Sequence, residues 1–170
     1  MTVNQQIDSL AGFTEPEFAN LLCGIDESLV IRFFHYFSRF EHALKLSNFK
    51  IIDSGFIKGA NWWEFANESC PEYPTHNTLV DEAVRYICDN PVKRQRDDLT
   101  WSSRRRICPY SFSEALKQVP NIRNNLFHGG KYLRPNVTRD SELLRSAIFL
   151  MQFCLMTNHQ FFEHFQCIDR

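Results

Sequence analysis

The chain has 170 residues, an apolar fraction of 44% and a formal net charge of -1. This length suits a single domain spanning residues 1–170 with a buried core, and the composition excludes disordered and collagen-like proteins. The near-neutral charge neither favours nor excludes nucleic acid as a partner, because a local basic patch is enough to hold phosphates.

The first ten residues contain neither a basic segment nor an apolar core, so we expect no secretory signal and a cytoplasmic protein. The longest apolar stretch, around Ala147 to Met156, is interrupted by Gln152 and is shorter than the roughly 20 residues that span a bilayer. We therefore expect no membrane partner. The six cysteines lack zinc-ligand spacing, and we expect reduced core thiols, no metal and no cofactor.

The first predicted element is a long amphipathic helix from about Asp26 to Ser47, in which phenylalanines recur at three- and four-residue steps. A short helix is predicted over Asn61 to Asn67, with Trp62 and Trp63 either in the core or facing a partner. Another helix is predicted over Thr78 to Cys88, from apolar residues at four-residue spacing.

The second half of the chain is also predicted to be helical. Ser111 to Glu114 fits a capping box, which indicates the start of a short helix. A second short helix is predicted from Pro120 to His128 and ends at Gly129-Gly130, and a long helix follows from about Asp140 to Phe165. Because no segment alternates convincingly with a period of two, we expect an all-α antiparallel bundle with two long helices and several short ones.

The helix that ends at His128 carries the residues best suited to chemistry. Its apolar residues form one side, whereas Asn124 and His128 share the opposite face and Arg123 lies on the flank. A histidine in the last turn can exchange a proton near neutral pH, and a nearby cation offsets charge that develops on phosphorus oxygens. The pattern suits phosphoryl transfer on RNA, and the alternative is an ordinary solvated helix end.

Arg123 and His128, separated by four residues, and Asn124 directly after the arginine resemble the R-x4-6-H motif of the HEPN superfamily. The resemblance implies a small all-α domain, commonly a homodimer, whose two motifs meet across the interface in one composite site. It implies a metal-independent endoribonuclease that cuts an RNA substrate to 2′,3′-cyclic phosphate ends, in a toxin–antitoxin or antiphage role. A cognate antitoxin or another regulatory protein is an implied partner.

One form of control found in the family is not implied. Some HEPN toxins carry a tyrosine two residues after the histidine, to which an antitoxin adds AMP. Here that residue is Gly130, and the nearest tyrosine is Tyr132.

The resemblance assigns a role to each residue of the motif. His128 is the general acid or base, Arg123 stabilises the developing charge, and Asn124 orients His128 or a phosphate oxygen. Glu41 interrupts the apolar stripe of the first long helix, where an unpaired carboxylate is costly, so we expect it to pair with Arg123 and support the site. The alternative for Glu41 is a position at the edge of that stripe.

Four basic residues outside the motif are candidates for RNA binding. Lys131 follows the two glycines, and Arg104, Arg105 and Arg106 lie close to Trp101 in sequence. Cations beside an exposed aromatic ring can hold RNA through phosphate contacts and base stacking. The alternative is a solvated loop.

Two other functions stay open at this point. The chain can be a non-catalytic HEPN module that binds RNA, a nucleotide or a protein partner. It can also be an interaction subunit whose active form needs another gene product. The presence of both Arg123 and His128 favours the enzyme.

Overall fold

The computed structural model describes residues 14, 17, 20, 22, 24–68, 78–93, 96–98, 100, 102–103, 105–127 and 136–167. The described chain is mostly helical, as predicted, with one two-stranded sheet. Its elements in chain order are α1 (Glu27–Leu46), β1 (Lys50–Asp53), β2 (Phe56–Ala60), α2 (Trp62–Glu68), α3 (Thr78–Asp89), α4 (Phe112–Leu116), α5 (Val119–Phe127), α6 (Val137–Thr157) and α7 (His159–Gln166).

Helix α1 begins and ends where the sequence indicates. Asp26 is the N-cap, and its carboxylate accepts a hydrogen bond from the backbone N–H of Leu29. Hydrogen bonds from the Ser28 hydroxyl and from the backbone hold the pKa of Asp26 below its ordinary value. The cap is therefore ionised at neutral pH beside the positive end of the helix. Ser47 is the C-cap, so the predicted bounds are confirmed.

The two long helices, α1 and α6, pack side by side and run in the same direction. Gly24, just before α1, lies against the side chain of Val137, the first residue of α6. Further along, Gln152 of α6 donates a 2.8 Å hydrogen bond to the Tyr36 hydroxyl of α1. The expected antiparallel arrangement is therefore wrong for this pair, because the intervening chain returns to the end of the bundle at which α1 began.

Helix α3 lies on the other side of α6 and runs antiparallel to it. Arg139, in the first turn of α6, donates hydrogen bonds to the carbonyls of Asn90 and Pro91, which follow the end of α3. The apolar faces of the two helices meet in the core, where Val80, Val84, Ile87, Leu143, Leu144, Leu150 and Met151 are almost fully buried. Removal of such apolar side chains from water is the main force that holds the helices together.

An aromatic cluster fills the opposite end of the core. The ring of Phe40 on α1 lies 4.9 Å from Trp62, 5.8 Å from Phe65 and 4.9 Å from Phe161, centre to centre. Two of these contacts are edge-to-face, which aromatic quadrupoles favour. The abundance of phenylalanine in the sequence therefore has a structural use, since one ring from α1 joins α2 to α7.

The hairpin between α1 and α2 was not predicted. β1 and β2 pair antiparallel through a turn at Ser54 and Gly55, both with positive φ, as a type I′ hairpin turn requires. Most of its side chains face solvent on both sides, including Ile52 at 58% and Phe56 at 72% exposure. Because no face is consistently buried, the sequence lacks the apolar alternation by which a strand is usually recognised.

The single long helix predicted from Asp140 to Phe165 is two helices. Asn158 between them has an extended backbone, and its side chain accepts a hydrogen bond from the backbone N–H of Phe161. Asparagine competes with the helix in this way and favours an N-cap. The bend lets α7 fold back on α1, where Arg39 donates hydrogen bonds to the carbonyl of Phe165.

The predictions for the two middle helices are confirmed, and the prediction of core thiols holds for two of the four cysteines in the described ranges. Helices α2 and α3 match their predicted ranges within one residue at each end. Cys88 and Cys154 are core thiols as expected, whereas Cys108 and Cys167 are exposed. Within the described ranges, no helix is both long and apolar enough to cross a membrane.

Candidate active-site helix

Helix α5 carries the first part of the proposed motif. It follows α4, which begins at the predicted cap, where Ser111 accepts a hydrogen bond from the backbone N–H of Glu114. Val119 and Ile122 of α5 are buried, whereas Asn124 is exposed. The predicted orientation of the helix is therefore confirmed, with its apolar side in the core and Asn124 turned to solvent.

Arg123 reaches from the flank of α5 to the first long helix. Its guanidinium carbon lies 5.8 Å from the ring centre of Phe37 on α1, a distance at which a cation interacts with an aromatic face. Its Nη1 donates a 3.0 Å hydrogen bond to the side-chain oxygen of Asn124. These two contacts fix the guanidinium at the junction of α5 and α1.

Glu41 also lies at this junction, but its hydrogen bond comes from another residue. The indole N–H of Trp62 donates to Oε1 of Glu41 at 3.2 Å. The predicted direct pair of Glu41 with Arg123 is therefore wrong. The guanidinium reaches the ring one helical turn before Glu41, and the indole satisfies the carboxylate.

The two groups are nevertheless linked through aromatic rings. Trp62 stacks on Phe37 with ring centres 5.4 Å apart, and Phe37 is the ring that Arg123 contacts. Trp62 also stacks on Phe40 at 4.9 Å. A shift of the indole would move both the ring under Arg123 and the donor to Glu41, so these residues form one packed unit.

Asn125 anchors the opposite flank of α5. Its side-chain amide donates a 3.3 Å hydrogen bond to the carbonyl of Lys93, which follows α3. α5 is thus attached to α1 through Arg123 and to the end of α3 through Asn125. A helix held on both flanks can keep its functional side chains in a constant orientation.

Three predicted site residues, His128, Lys131 and Arg104, lie outside the described residues, as do the two glycines after His128. The last described residue of α5 is Phe127, which directly precedes His128 in the chain.

The two other arginines predicted to bind RNA, Arg105 and Arg106, are both exposed, but their surroundings differ. Arg106 forms an ion pair with Asp89 and lies 5.0 Å from the ring centre of Tyr110. The same ring is contacted by the guanidinium of Arg85 at 4.8 Å. Arg106 therefore belongs to a cluster that ties the residues before α4 to α3, and Arg105 is the better candidate for a phosphate contact.

Sequence reasoning left Trp62 either in the core or facing a partner and gave it no part in the site. Two signals together indicate its role. An indole N–H that is buried needs an acceptor, and a carboxylate in an apolar stripe needs a donor. Trp62 is 4% exposed, and Glu41 is the partner that satisfies both needs. Trp63, by contrast, is exposed, and the Nζ of Lys117 lies 4.6 Å from its ring centre.

No family model matches the chain, and the comparisons with curated proteins and with solved structures also find no match.

Proposed function

We propose that the chain is a HEPN-type domain that acts as a homodimeric, metal-independent endoribonuclease. The proposal depends on the motif of Arg123, Asn124 and His128 in the sequence. The structural observation that supports it is the fixed position of Arg123. Arg123 lies on α5, the last helix before His128. Its guanidinium is held between the side chain of Asn124 and the ring of Phe37 on α1, beside the exposed polar face of α5.

In the proposed reaction the RNA supplies its own nucleophile. The 2′-oxygen attacks the adjacent phosphorus and forms a new O–P bond, while the bond from phosphorus to the 5′-oxygen of the next nucleotide breaks. One histidine removes the 2′-hydroxyl proton, and a proton is delivered to the departing 5′-oxygen. The products are a 2′,3′-cyclic phosphate and a 5′-hydroxyl, so no water is consumed and no redox step occurs.

Arg123 contributes by stabilising charge. The non-bridging phosphate oxygens gain negative charge as the fifth bond to phosphorus forms, and a preorganised guanidinium offsets this charge at no cost in reorganisation. Its planar fork suits two phosphate oxygens at once. In this proposal Asn124 orients the guanidinium through the hydrogen bond that it accepts from Nη1.

A second copy of the chain completes the site. Arg123 and His128 are five residues apart and therefore about 140° apart around an α-helix, so one helix does not bring both to the same phosphate. Two copies of the motif that face each other would supply two histidines, one as the base and one as the acid. In this proposal the exposed Asn124 faces the second copy.

The test is an RNA cleavage assay in excess EDTA with the wild-type protein, His128→Ala and Arg123→Ala. We expect wild type to cut, and each variant to lose about 100-fold or more in rate, the scale of a lost acid or base or of a lost charge stabiliser. Arg145→Ala is the matched control, since this exposed arginine pairs with Glu142 on α6 and lies outside the motif. It should cut as wild type does.

Two results would overturn the proposal. One is intact RNA in the wild-type reaction across a mixed RNA pool, with the protein shown to be folded by circular dichroism. The other is cleavage by both motif variants at the wild-type rate. Intact RNA together with measurable RNA binding would favour a non-catalytic module.

A further inference from the structure

A cavity of about 380 Å³ opens between α1, α6 and α7, and neither Arg123 nor Asn124 is among the described residues that line it. This volume falls within the range of small-molecule sites. The described residues that line it are Tyr36, Gln152, Leu155, Met156, His159, Phe162 and Phe165. It exists because the chain bends at Asn158, which folds α7 back beside the two long helices.

Three of the seven described lining residues of the cavity are phenylalanine or tyrosine. Tyr36 and Phe165 have ring centres 5.7 Å apart, and Phe162 stacks on Phe165 at 6.4 Å. Met156 is 74% exposed at the cavity, which is a high value for a large apolar side chain. Walls of this kind favour a flat, π-rich ligand, because aromatic side chains stack on the faces of planar rings.

Hydrogen-bonding groups are placed among these rings. The side-chain amide of Gln152 donates one N–H to the Tyr36 hydroxyl. In this geometry Tyr36 acts as acceptor and keeps its own O–H proton, while the glutamine amide keeps a second N–H and a carbonyl oxygen. An amide edge with one donor and one acceptor matches the edge of a nucleobase better than that of a plain aromatic ring.

A cation contacts the ring of Tyr36, which is one of the lining residues. The guanidinium of Arg32, one helical turn before Tyr36, lies 5.9 Å from the centre of the Tyr36 ring, and its side chain is exposed. His159 is another lining residue, with its Nδ1 3.5 Å from a carboxylate oxygen of Glu163. A positive group beside an aromatic cavity favours a ligand that has a planar ring and a negative charge.

We propose that this cavity binds a nucleobase that carries a phosphate, with the base against the exposed surface of the aromatic rings, its edge on Gln152 and its phosphate near Arg32. The ligand is either a free nucleotide or one nucleotide of a single RNA strand. This binding activity is separate from the cleavage reaction proposed above, and neither depends on the other.

Methyl NMR on the full-length protein tests the site directly. With the methionine methyl groups labelled, the Met156 signal reports on the cavity, and Met151, which is fully buried, serves as a control in the same molecule. AMP, adenosine and a short oligoadenylate would be titrated separately. We expect the Met156 signal to shift in a saturable way and the Met151 signal to stay in place.

Two variants test the assigned contacts. Arg32→Gln should weaken AMP binding by about threefold to tenfold and leave adenosine binding nearly unchanged, because it removes the cation alone. Gln152→Leu should weaken binding of both ligands by about tenfold, because it removes the amide edge. Arg145→Gln is the matched control, since Arg145 lies two turns before Gln152 on α6 and is not among the lining residues.

The outcomes separate the sources of the ligand. Saturation by AMP identifies a free nucleotide, and saturation by the oligoadenylate alone identifies an RNA strand. A Met156 signal that none of the three ligands moves at millimolar concentration would overturn the proposal, as would equal AMP affinity in wild type and both cavity variants. RNA cleavage is measured independently, so an active nuclease with an unresponsive Met156 would refute the cavity proposal alone.

Discussion

Trp62 stabilises the junction of α1 and α5 in two ways. Its ring stacks on Phe37 and Phe40, and its indole N–H donates to the carboxylate of Glu41. Since Phe37 is also the ring that Arg123 contacts, the indole influences the proposed site without touching RNA. We regard Trp62 and Glu41 as positioning residues and Arg123 as a proposed catalytic residue.

Trp62→Phe keeps a ring in the stack and removes the donor to Glu41. We expect the variant to lose about 1 kcal/mol of unfolding free energy, because a partly buried carboxylate loses its hydrogen bond. We expect its RNA cleavage rate to fall about threefold to tenfold, since the ring of Phe37, which Arg123 contacts, becomes less constrained. Urea unfolding and single-turnover cleavage measure the two effects.

Trp63→Phe is the matched control for this substitution. Trp63 is 58% exposed and lies next in the chain, so its replacement should change neither stability nor cleavage appreciably. If Trp62→Phe behaves like Trp63→Phe in both assays, Trp62 does not position the site.

Arg105 and Arg106 are adjacent in sequence and are predicted to respond differently to truncation. Arg106→Ala removes the ion pair with Asp89 and the contact with Tyr110, so we expect a loss of about 0.5–1 kcal/mol in unfolding free energy.

Arg105→Ala should leave the unfolding free energy unchanged and weaken RNA binding. The RNA affinity should also depend less steeply on salt concentration. RNA affinity is measured by filter binding in the His128→Ala background, which does not cut. The His128→Ala protein is compared with the double variants that also carry Arg105→Ala or Arg106→Ala. Equal RNA affinity for all these proteins would contradict the assignment to Arg105.

At the scale of the secondary-structure elements, the bend at Asn158 turns α7 back along α1. Without it α6 and α7 would form one straight helix, and the cavity between α1, α6 and α7 would not exist. The bend is held by the N-cap of Asn158 and by the contacts of α7 with α1, which include a 2.9 Å hydrogen bond between Ser47 and His164.

Asn158→Ala should destabilise the protein by about 1 kcal/mol, because the backbone N–H of Phe161 loses its side-chain acceptor. Urea unfolding followed by circular dichroism measures the loss. Asn67→Ala is the control, since Asn67 is exposed within α2 and is not a cap. An equal effect of the two substitutions would show that the Asn158 cap contributes nothing.

The sequence predicts those elements that have one buried face. α1 has phenylalanine at helical spacing and an aspartate cap, and α4 has a serine cap, so both were located correctly. The orientation of α5 follows from its apolar residues, which placed Asn124 on the exposed side. Each of these predictions depends on local spacing, which a single sequence reveals.

Features that leave no clear local pattern, or that depend on contacts between distant residues, were missed. The hairpin exposes both faces, so its apolar residues do not alternate with polar ones. The partner of Glu41 lies 21 residues away on α2, and no local pattern pairs the two. The bend at Asn158 does have a local signal, since asparagine favours N-caps, but the apolar residues on both sides of it suggested one continuous helix.

For the whole molecule, the proposed composite site requires a dimer. We expect sedimentation velocity to give the mass of two chains at micromolar concentration, because positions five residues apart lie about 140° apart around an α-helix and the proposed site then needs a second copy of the motif. Asn124→Trp places a large ring on the exposed face of α5 and should shift the protein toward the monomer and abolish cleavage together. A wild-type monomer that cuts RNA at full rate would contradict the composite site.

The chemistry of the RNA ends tests the central claim most directly, because only a 2′-hydroxyl nucleophile can give a 2′,3′-cyclic phosphate. The measurement compares one RNA in its unmodified form and in a fully 2′-O-methylated form, with the wild-type protein in excess EDTA. We predict that the unmodified RNA is cut to 2′,3′-cyclic phosphate and 5′-hydroxyl ends and that the methylated RNA stays intact. Cleavage of both RNAs, or of neither, would contradict the assignment of Arg123 and His128 to this reaction.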